Sequence, residues 1–298
     1  MPGPSDRLSA GQTGTCARGA RLLIGSAGEV ACDLALDEIL LDRGEAVARV
    51  WTPARRGRLS ACPCVSTRSQ ECVRQHAQAG EAALAAVLGV ASKARDELRA
   101  EACEADGVEI LRRQSGGAAV LVGPGVACFT IVFPYASCPA AGTIGGAYRL
   151  AASTVARALD AVGVPACACC RTHADRRVEL QPPGDLACGG RKVAGMAQAR
   201  RRLAAMVHGV IPVEIDPGDL DRYLAHPPDE PAYRAGRPHG GFVAAVSELA
   251  DGCTTPRVLD ALAEAFHLPR SSPSADELAE AGRLAARKYG TREWTFRR

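Results

Sequence analysis

The sequence predicts an α+β fold in which a mixed, mostly antiparallel sheet is flanked by helices. Three observations carry that expectation. Short apolar runs bounded by turn residues recur at 118–122, 126–133, 185–188 and 203–215. Helical periodicity is confined to other segments, notably 29–43, 148–162 and the stretch after Ser274. The run 126–133 (VACFTIVF) is apolar on both faces, which predicts a buried, central strand.

The elements follow in order. Residues 1–21 are rich in Gly, Ser and Pro and read as a flexible N-terminal tail. They hold no apolar run long enough for a signal peptide, and no later stretch reaches the length of a membrane span. A cytoplasmic, membrane-free location is therefore expected. Residues 29–43 put Val30, Leu34 and Leu41, with Leu36 and Leu40, on one broad helical face, and Gly44 is placed to stop the helix. Residues 46–52 read as a strand closed by Pro53. The segment 55–84 has no clean period and reads as a surface insertion.

An apolar strand at 86–90, a helix at 93–105 and a short strand at 108–111 come next. Gly123-Pro124-Gly125 suggests a tight turn joining 118–122 to 126–133 as a hairpin. Tyr148, Ala152, Val155, Leu159 and Val162 mark a helix that Gly163 ends. Gly189-Gly190 supplies the positive φ angles of a type I′ hairpin turn. Residues 217–241 read as a long Pro-rich loop, and Ser274 with Glu277 forms a capping box for a helix ending near Tyr289.

A net charge of +3, without a basic stripe interleaved with aromatics, argues against a nucleic-acid partner. The 13 cysteines include two clusters, Cys62-Pro-Cys64 with Cys72 and Cys167-Ala-Cys169-Cys170. Neither has paired C-x-x-C spacing or a matching His, so they read as thiols and no metal site is expected.

Only three lysines, Lys93, Lys192 and Lys288, stand against 33 arginines. Lys192 lies in GGRKVAGMAQARRR, where Gly195 and Ala197 leave little side chain on alternating positions of a strand. A flat ligand or a second backbone can approach there, and an ammonium can neutralise developing charge as a compact point donor. An exposed strand lysine would fit the segment equally well. Arg200, Arg201 and Arg202 read as a solvated run. In Arg112-Arg113-Gln114-Ser115-Gly116-Gly117, the Gly-Gly step can aim backbone N–H groups at an anion, with Arg113 adding a bidentate contact. A solvated Arg pair beside a turn is the plainer alternative. His208, mid-strand beside Gly209, is either a packed core histidine or a ligand contact.

Taken in order, RRQSGGAAV, GRKVAGMAQARRR and VHGVIPVEID resemble the lipoate–protein ligase and octanoyltransferase family, which shares a class II synthetase-like fold with the biotin ligases. Weaker agreement extends to CDLALDEILL, RVWTP, AVLGVASKARDE and KYGTREWTFRR. The resemblance implies a catalytic domain over residues 22–250, interrupted by 55–84, with 251–298 as its helical C-terminal part. It implies acyl transfer to the lysine of a lipoyl domain, on a 2-oxoacid dehydrogenase subunit or a glycine-cleavage carrier protein. Lys192 would be catalytic. Arg112, Arg113, Ser115, Gly116 and Gly117 would frame the activated acyl group, and Gly195, Ala197 and His208 would line the pocket.

Two enzyme readings follow. A ligase would use ATP and Mg²⁺ to activate lipoate or octanoate; a transferase would take octanoyl from a carrier protein through a cysteine thioester. A non-catalytic lipoyl-binding homologue is a third. The sequence departs from the family's motifs at four points: Ala118 replaces a third glycine, Val122-Gly123 stands where a His-Asp or similar pair is usual, the Asn-Asp pair upstream of the lysine motif is absent, and no cysteine stands about a dozen residues before that motif. The missing thiol favours the ligase. A biotin ligase is disfavoured because its G-R-G-R-x-G-R-x-W stretch is absent.

Overall fold

A computed structural model describes residues 19–53, 84–164, 178–181 and 184–298. The expected insertion at 55–84, both cysteine clusters and residues 1–18 of the tail lie outside these, apart from Leu84. The strands are β1 (Arg21–Ile24), β2 (Val47–Trp51), β3 (Ala85–Leu88), β4 (Glu109–Arg112), β5 (Val120–Val122), β6 (Val126–Pro134), β7 (Val178–Gln181), β8 (Asp185–Cys188), β9 (Arg191–Arg200), β10 (Ala204–Pro212) and β11 (Arg270–Ser271). The helices are α1 (Val30–Arg43), α2 (Ala94–Glu97), α3 (Ala100–Ala105), α4 (Ile144–Ala161), α5 (Pro217–Tyr223), α6 (His239–Phe242), α7 (Val246–Leu249), α8 (Thr255–Phe266), α9 (Ala275–Leu284) and α10 (Arg292–Thr295).

Eight strands form the main sheet in the order β11-β1-β2-β6-β10-β9-β8-β7. The β11–β1 and β1–β2 pairs are parallel and the remainder antiparallel, which makes the architecture α+β with a mixed sheet. A second sheet, β4-β3-β5, stands apart from it. The chain buries two apolar clusters, one on each face of the main sheet. α1, the small sheet and α9 cover one face; α4 and α8 cover the other. β6 is buried along its length up to Pro134 because it is wedged between both layers, as its two apolar faces predict.

Several local signals act as chemistry requires. Gly44 adopts φ +66° and stops α1, its N–H bonding back to Leu40 and Leu41. Gly189 and Gly190 take φ +57° and +73° and close the β8–β9 hairpin. Ser274 Oγ accepts from the Glu277 N–H while the Glu277 carboxylate accepts from the Ser274 N–H.

Three expectations need correction. The runs 118–122 and 126–133 do not pair with each other: β5 joins β3 in the small sheet, whereas β6 joins β2 and β10. Gly123-Pro124-Gly125 is thus a crossing point between sheets; a Cβ on Gly125 (φ +87°) would stand 2.7 Å from the Glu214 carbonyl oxygen. The expected helix 93–105 is broken into α2 and α3, because Leu98 turns extended to bridge Leu224. Residues 217–241 are not a plain loop. Asp216 caps α5 through the Gly218 N–H, and Asp221 accepts the His239 and Gly240 N–H groups at the start of α6.

Candidate active site

β9 places Lys192 at the hairpin end of the main sheet. A bulge sets Ala187 opposite Lys192 and Leu186 opposite Ala194, so the intervening residue is left over and the pairing steps by one. The Lys192 stem runs over Gly195, where a Cβ would stand 2.7 Å from Cε and 2.9 Å from Nζ. Its ammonium lies 2.8 Å from Asp185 Oδ1. Asp185 Oδ2 in turn accepts from the Tyr233 hydroxyl at 2.8 Å. Gly209 on β10 is more tightly constrained, since a Cβ there would collide with the Gly195 carbonyl and the Phe129 ring.

A row of four side chains crosses the sheet in register: Arg49 faces Thr130, Thr130 faces His208, and His208 faces Ala197. Asp37 reaches this row from α1. It accepts from Arg49 Nη1 (3.1 Å) and Thr130 Oγ1 (2.8 Å), and it lies 3.0 Å from His208 Nδ1. A carboxylate can only accept, so Nδ1 carries the proton and Nε2 takes the Ser115 hydroxyl, 2.5 Å away. Asp33 also pairs with Arg49; burial pushes its carboxyl up, against the pull of that guanidinium.

Arg113 builds the glycine loop from within. Its Nε donates to Ser115 Oγ (3.0 Å), Nη1 to the Val87 carbonyl (2.9 Å), and Nη2 to the carbonyls of Gly116 (2.6 Å) and Ala118 (2.9 Å). Burial lowers this guanidinium to about 10, which leaves it charged at neutral pH. Arg112 is fully buried and faces away. Its Nε donates to the Thr295 carbonyl (2.8 Å), and Nη1 to the carbonyls of Gly89 (2.6 Å) and Ser92 (2.7 Å), while Trp294 Nε1 donates to the Arg112 carbonyl (2.8 Å).

These elements enclose a cavity of about 520 Å³. One side is apolar, with Val30 and Leu34 from α1, Trp51, Val87 and Val122. The polar lining carries both signs, Lys192, Arg113 and Arg234 with the carboxylates of Asp37, Glu97, Asp185, Asp229 and Glu230, and His208. Such a space suits a molecule with a hydrocarbon arm and a polar head.

Of the residues singled out from sequence, Lys192, Arg113, Gly117, Gly195, Ala197 and His208 line this cavity. Arg112, Ser115 and Gly116 do not. The expected role of Arg112 at the acyl group is corrected: its Nε and Nη1 donate to the carbonyls of Thr295, Gly89 and Ser92, its Nη2 is buried without a partner, and the side chain does not line the cavity. Arg200 and Arg201 are not a merely solvated run either. Arg200 binds the carbonyls of Ala141 and Gly142, and Arg201 binds Asp42 and Gln114.

Sequence reasoning missed Asp37, Asp185, Tyr233 and Cys128. Asp185, within one hairpin of Lys192, was signalled by the two-residue Gly-Gly loop that folds β8 back on β9. Asp37 and Tyr233 carry no local signal. Cys128 lines the cavity on β6; burial, then Asp33 and Asp37, push its thiol far above the usual range.

The profile of the lipoyl protein ligase A/B catalytic domain matches residues 81–267. The chain belongs to that family. It is an enzyme of the lipoate ligase and octanoyltransferase group, acting in lipoyl or octanoyl transfer. Octanoyltransferase LipM of Kyrpidia tusciae is 30% identical over 230 residues, covering 71% of this chain and 82% of that protein. Among solved structures, a bipartite lipoate protein ligase from Thermoplasma acidophilum, studied with its E2 lipoyl domain, superposes with a TM-score of 0.66 at 20% identity, over 94% of this chain and 96% of the other. A lipoate-protein ligase A bound with ATP gives a TM-score of 0.65 at 20% identity, over 94% and 99%. Both share the fold. Among the described residues, no helix is long and apolar enough to cross a membrane.

Proposed function

We propose that the chain is an ATP-dependent ligase that activates lipoate or octanoate as the acyl-adenylate and passes it to the lysine of a lipoyl domain. The observation that carries this reading is the cavity, which holds Val30, Leu34 and Trp51 on the α1 side and Lys192, held by Asp185, in its polar lining. The acyl chain would lie against Val30, Leu34 and Trp51. Lys192 would sit at the carboxyl group and neutralise the negative charge that grows on its oxygens as the acceptor amine attacks. His208, held by Asp37 and Ser115, would fix the adjoining wall. The ligase at TM-score 0.65, which bound ATP, and the one studied with an E2 lipoyl domain support the nucleotide and the acceptor.

The thiol chemistry points the same way. Cys128 is the cysteine that lines the cavity among the described residues, and its surroundings hold it protonated, so it is a poor nucleophile. The described residues hold no group of three or more His, Cys, Asp or Glu able to bind a metal. Mg²⁺ would arrive on the nucleotide phosphates.

A second reading rests on the relative from Kyrpidia tusciae, whose name is octanoyltransferase. It would need Cys169 or Cys170, outside the described residues, as the acyl acceptor. Incubating the protein and an apo lipoyl domain with ATP, Mg²⁺ and lipoate, or with octanoyl carrier protein alone, separates the two. We expect acylation in the first mixture, retained by the double change Cys169→Ser, Cys170→Ser. ATP-independent octanoyl transfer that this double variant loses would install the transferase instead.

A further inference from the structure

Tyr233 belongs to none of the family motifs. It sits on a single 3-10 turn, Ala232–Arg234, held between Pro231 and Ala235, whose φ of +52° is a left-handed conformation unusual for alanine. Three contacts fix it. Its ring packs on Phe242 with centroids 5.0 Å apart, and Arg237 Nη2 bonds both the Tyr233 carbonyl (2.6 Å) and the Gly190 carbonyl (2.9 Å). The turn is thereby tied to the loop of the hairpin that bears Lys192. The third contact is the hydroxyl on Asp185. Burial, then the neighbouring carboxylate, push this phenol far above its usual range, so it stays a donor at any working pH.

We propose that Tyr233 is a positioning residue for Lys192, acting through Asp185; this rests on the reading of Lys192 as catalytic. The carboxylate is divided between them, Oδ1 to the ammonium and Oδ2 to the phenol, both at 2.8 Å. A lysine stem has four rotatable bonds and gives up rotamer entropy when held in one place. Asp185 alone could not impose that order, because its own side chain would rotate. The phenol pins the carboxylate, and Gly195 leaves the groove along which the stem lies. Tyr233 is thus a third support for an ammonium that sequence motifs assign to Lys192 and its glycine alone. Glu230 and Arg234, beside it in the chain, line the cavity, so the wall and the lysine are held by one segment.

The test exploits the composition. With three lysines in the chain, a ¹⁵N-lysine spectrum of the full protein resolves the Nζ–H signals, and Lys192→Ala assigns one of them. We expect Tyr233→Phe, which keeps the ring on Phe242, to broaden the Lys192 signal and leave those of Lys93 and Lys288 unchanged. Lipoyl-domain acylation should lose about tenfold in kcat, with KM for the acceptor within about twofold. Because Tyr233 acts through Asp185, Tyr233→Phe should add no loss on top of Asp185→Asn. An unaltered Lys192 signal, wild-type kcat, or additive losses would each overturn the proposal. If Lys192→Ala keeps activity, the catalytic reading of the lysine fails instead, while the spectrum still decides whether Tyr233 positions it.

Discussion

Lys192 Nζ lies 2.8 Å from Asp185 Oδ1, and the stem that brings it there is laid over the bare α-carbon of Gly195. The space fits a narrow ammonium and not a planar fork. We expect Lys192→Ala and Lys192→Arg both to abolish lipoyl-domain acylation, with unfolding free energies within about 1 kcal/mol of wild type. Gel-shift or mass-spectrometric acylation assays alongside urea titration would check this. Wild-type turnover by the Arg variant would show that a point charge is not required.

Gly195 and Gly209 are neighbours across β9 and β10 and should respond in opposite ways to one added methyl. At Gly195 the new Cβ meets the flexible end of Lys192. Gly195→Ala should therefore fold normally while losing at least about tenfold in acylation rate, as the ammonium is displaced. At Gly209 the Cβ meets the Gly195 backbone and the Phe129 ring. Gly209→Ala should lower stability by about 1–3 kcal/mol in denaturant titrations. Equal stability of the two variants would contradict the assignment.

Arg112 should matter for folding more than for contact with substrate. Removing it leaves the carbonyls of Gly89, Ser92 and Thr295 without their donor in a buried setting. Arg112→Ala should cost about 3 kcal/mol or more in unfolding free energy. Arg112→Lys should recover only a fraction, since one ammonium cannot reach both segments. A variant as stable as wild type would mean that these carbonyls find water.

Acid should find His239. Burial, then the nearby Arg234, lower its pKa from 6.5 to about 4, against the pull of Asp221 3.4 Å away. The unfolded chain then binds a proton that the folded chain refuses between those two values, so this contribution is complete above about 6.5 and lost as pH falls toward 4. The full shift corresponds to about 3 kcal/mol, and residual solvation should bring it nearer 1–2 kcal/mol. His239→Gln should flatten the stability profile in that window. An identical slope in both proteins would refute it.

Legibility tracked sequence distance. α1, the β8–β9 hairpin and the capping box at Ser274 were readable because a helix stop, a two-residue turn and a cap are each set by a few adjacent residues. The switch of sheets at Gly123–Gly125 was not, because the same tight turn serves a hairpin or a crossing and only the partners of β5 and β6 decide. Lys192 was legible from its glycines and its rarity among arginines. Asp37, which meets His208 from 171 residues away, and Tyr233, 48 residues from Asp185, were not, since nothing near them in the chain names their partners. Arg112 misled for the same reason. A paired arginine beside Gly-Gly looks like an anion site until α10 arrives from 183 residues downstream.

That distance has a consequence for the protein as it is made. At about 5–20 residues per second, a ribosome needs roughly 10–40 seconds to go from Arg112 to Thr295. Through that interval the strand bearing Arg112 can already be in place while its guanidinium lacks the Thr295 carbonyl and its own carbonyl lacks the Trp294 indole. A nascent chain can thus contain RRQSGGAAV, GRKVAGMAQARRR and VHGVIPVEID in full and still lack the bracket that α10 forms with Arg112.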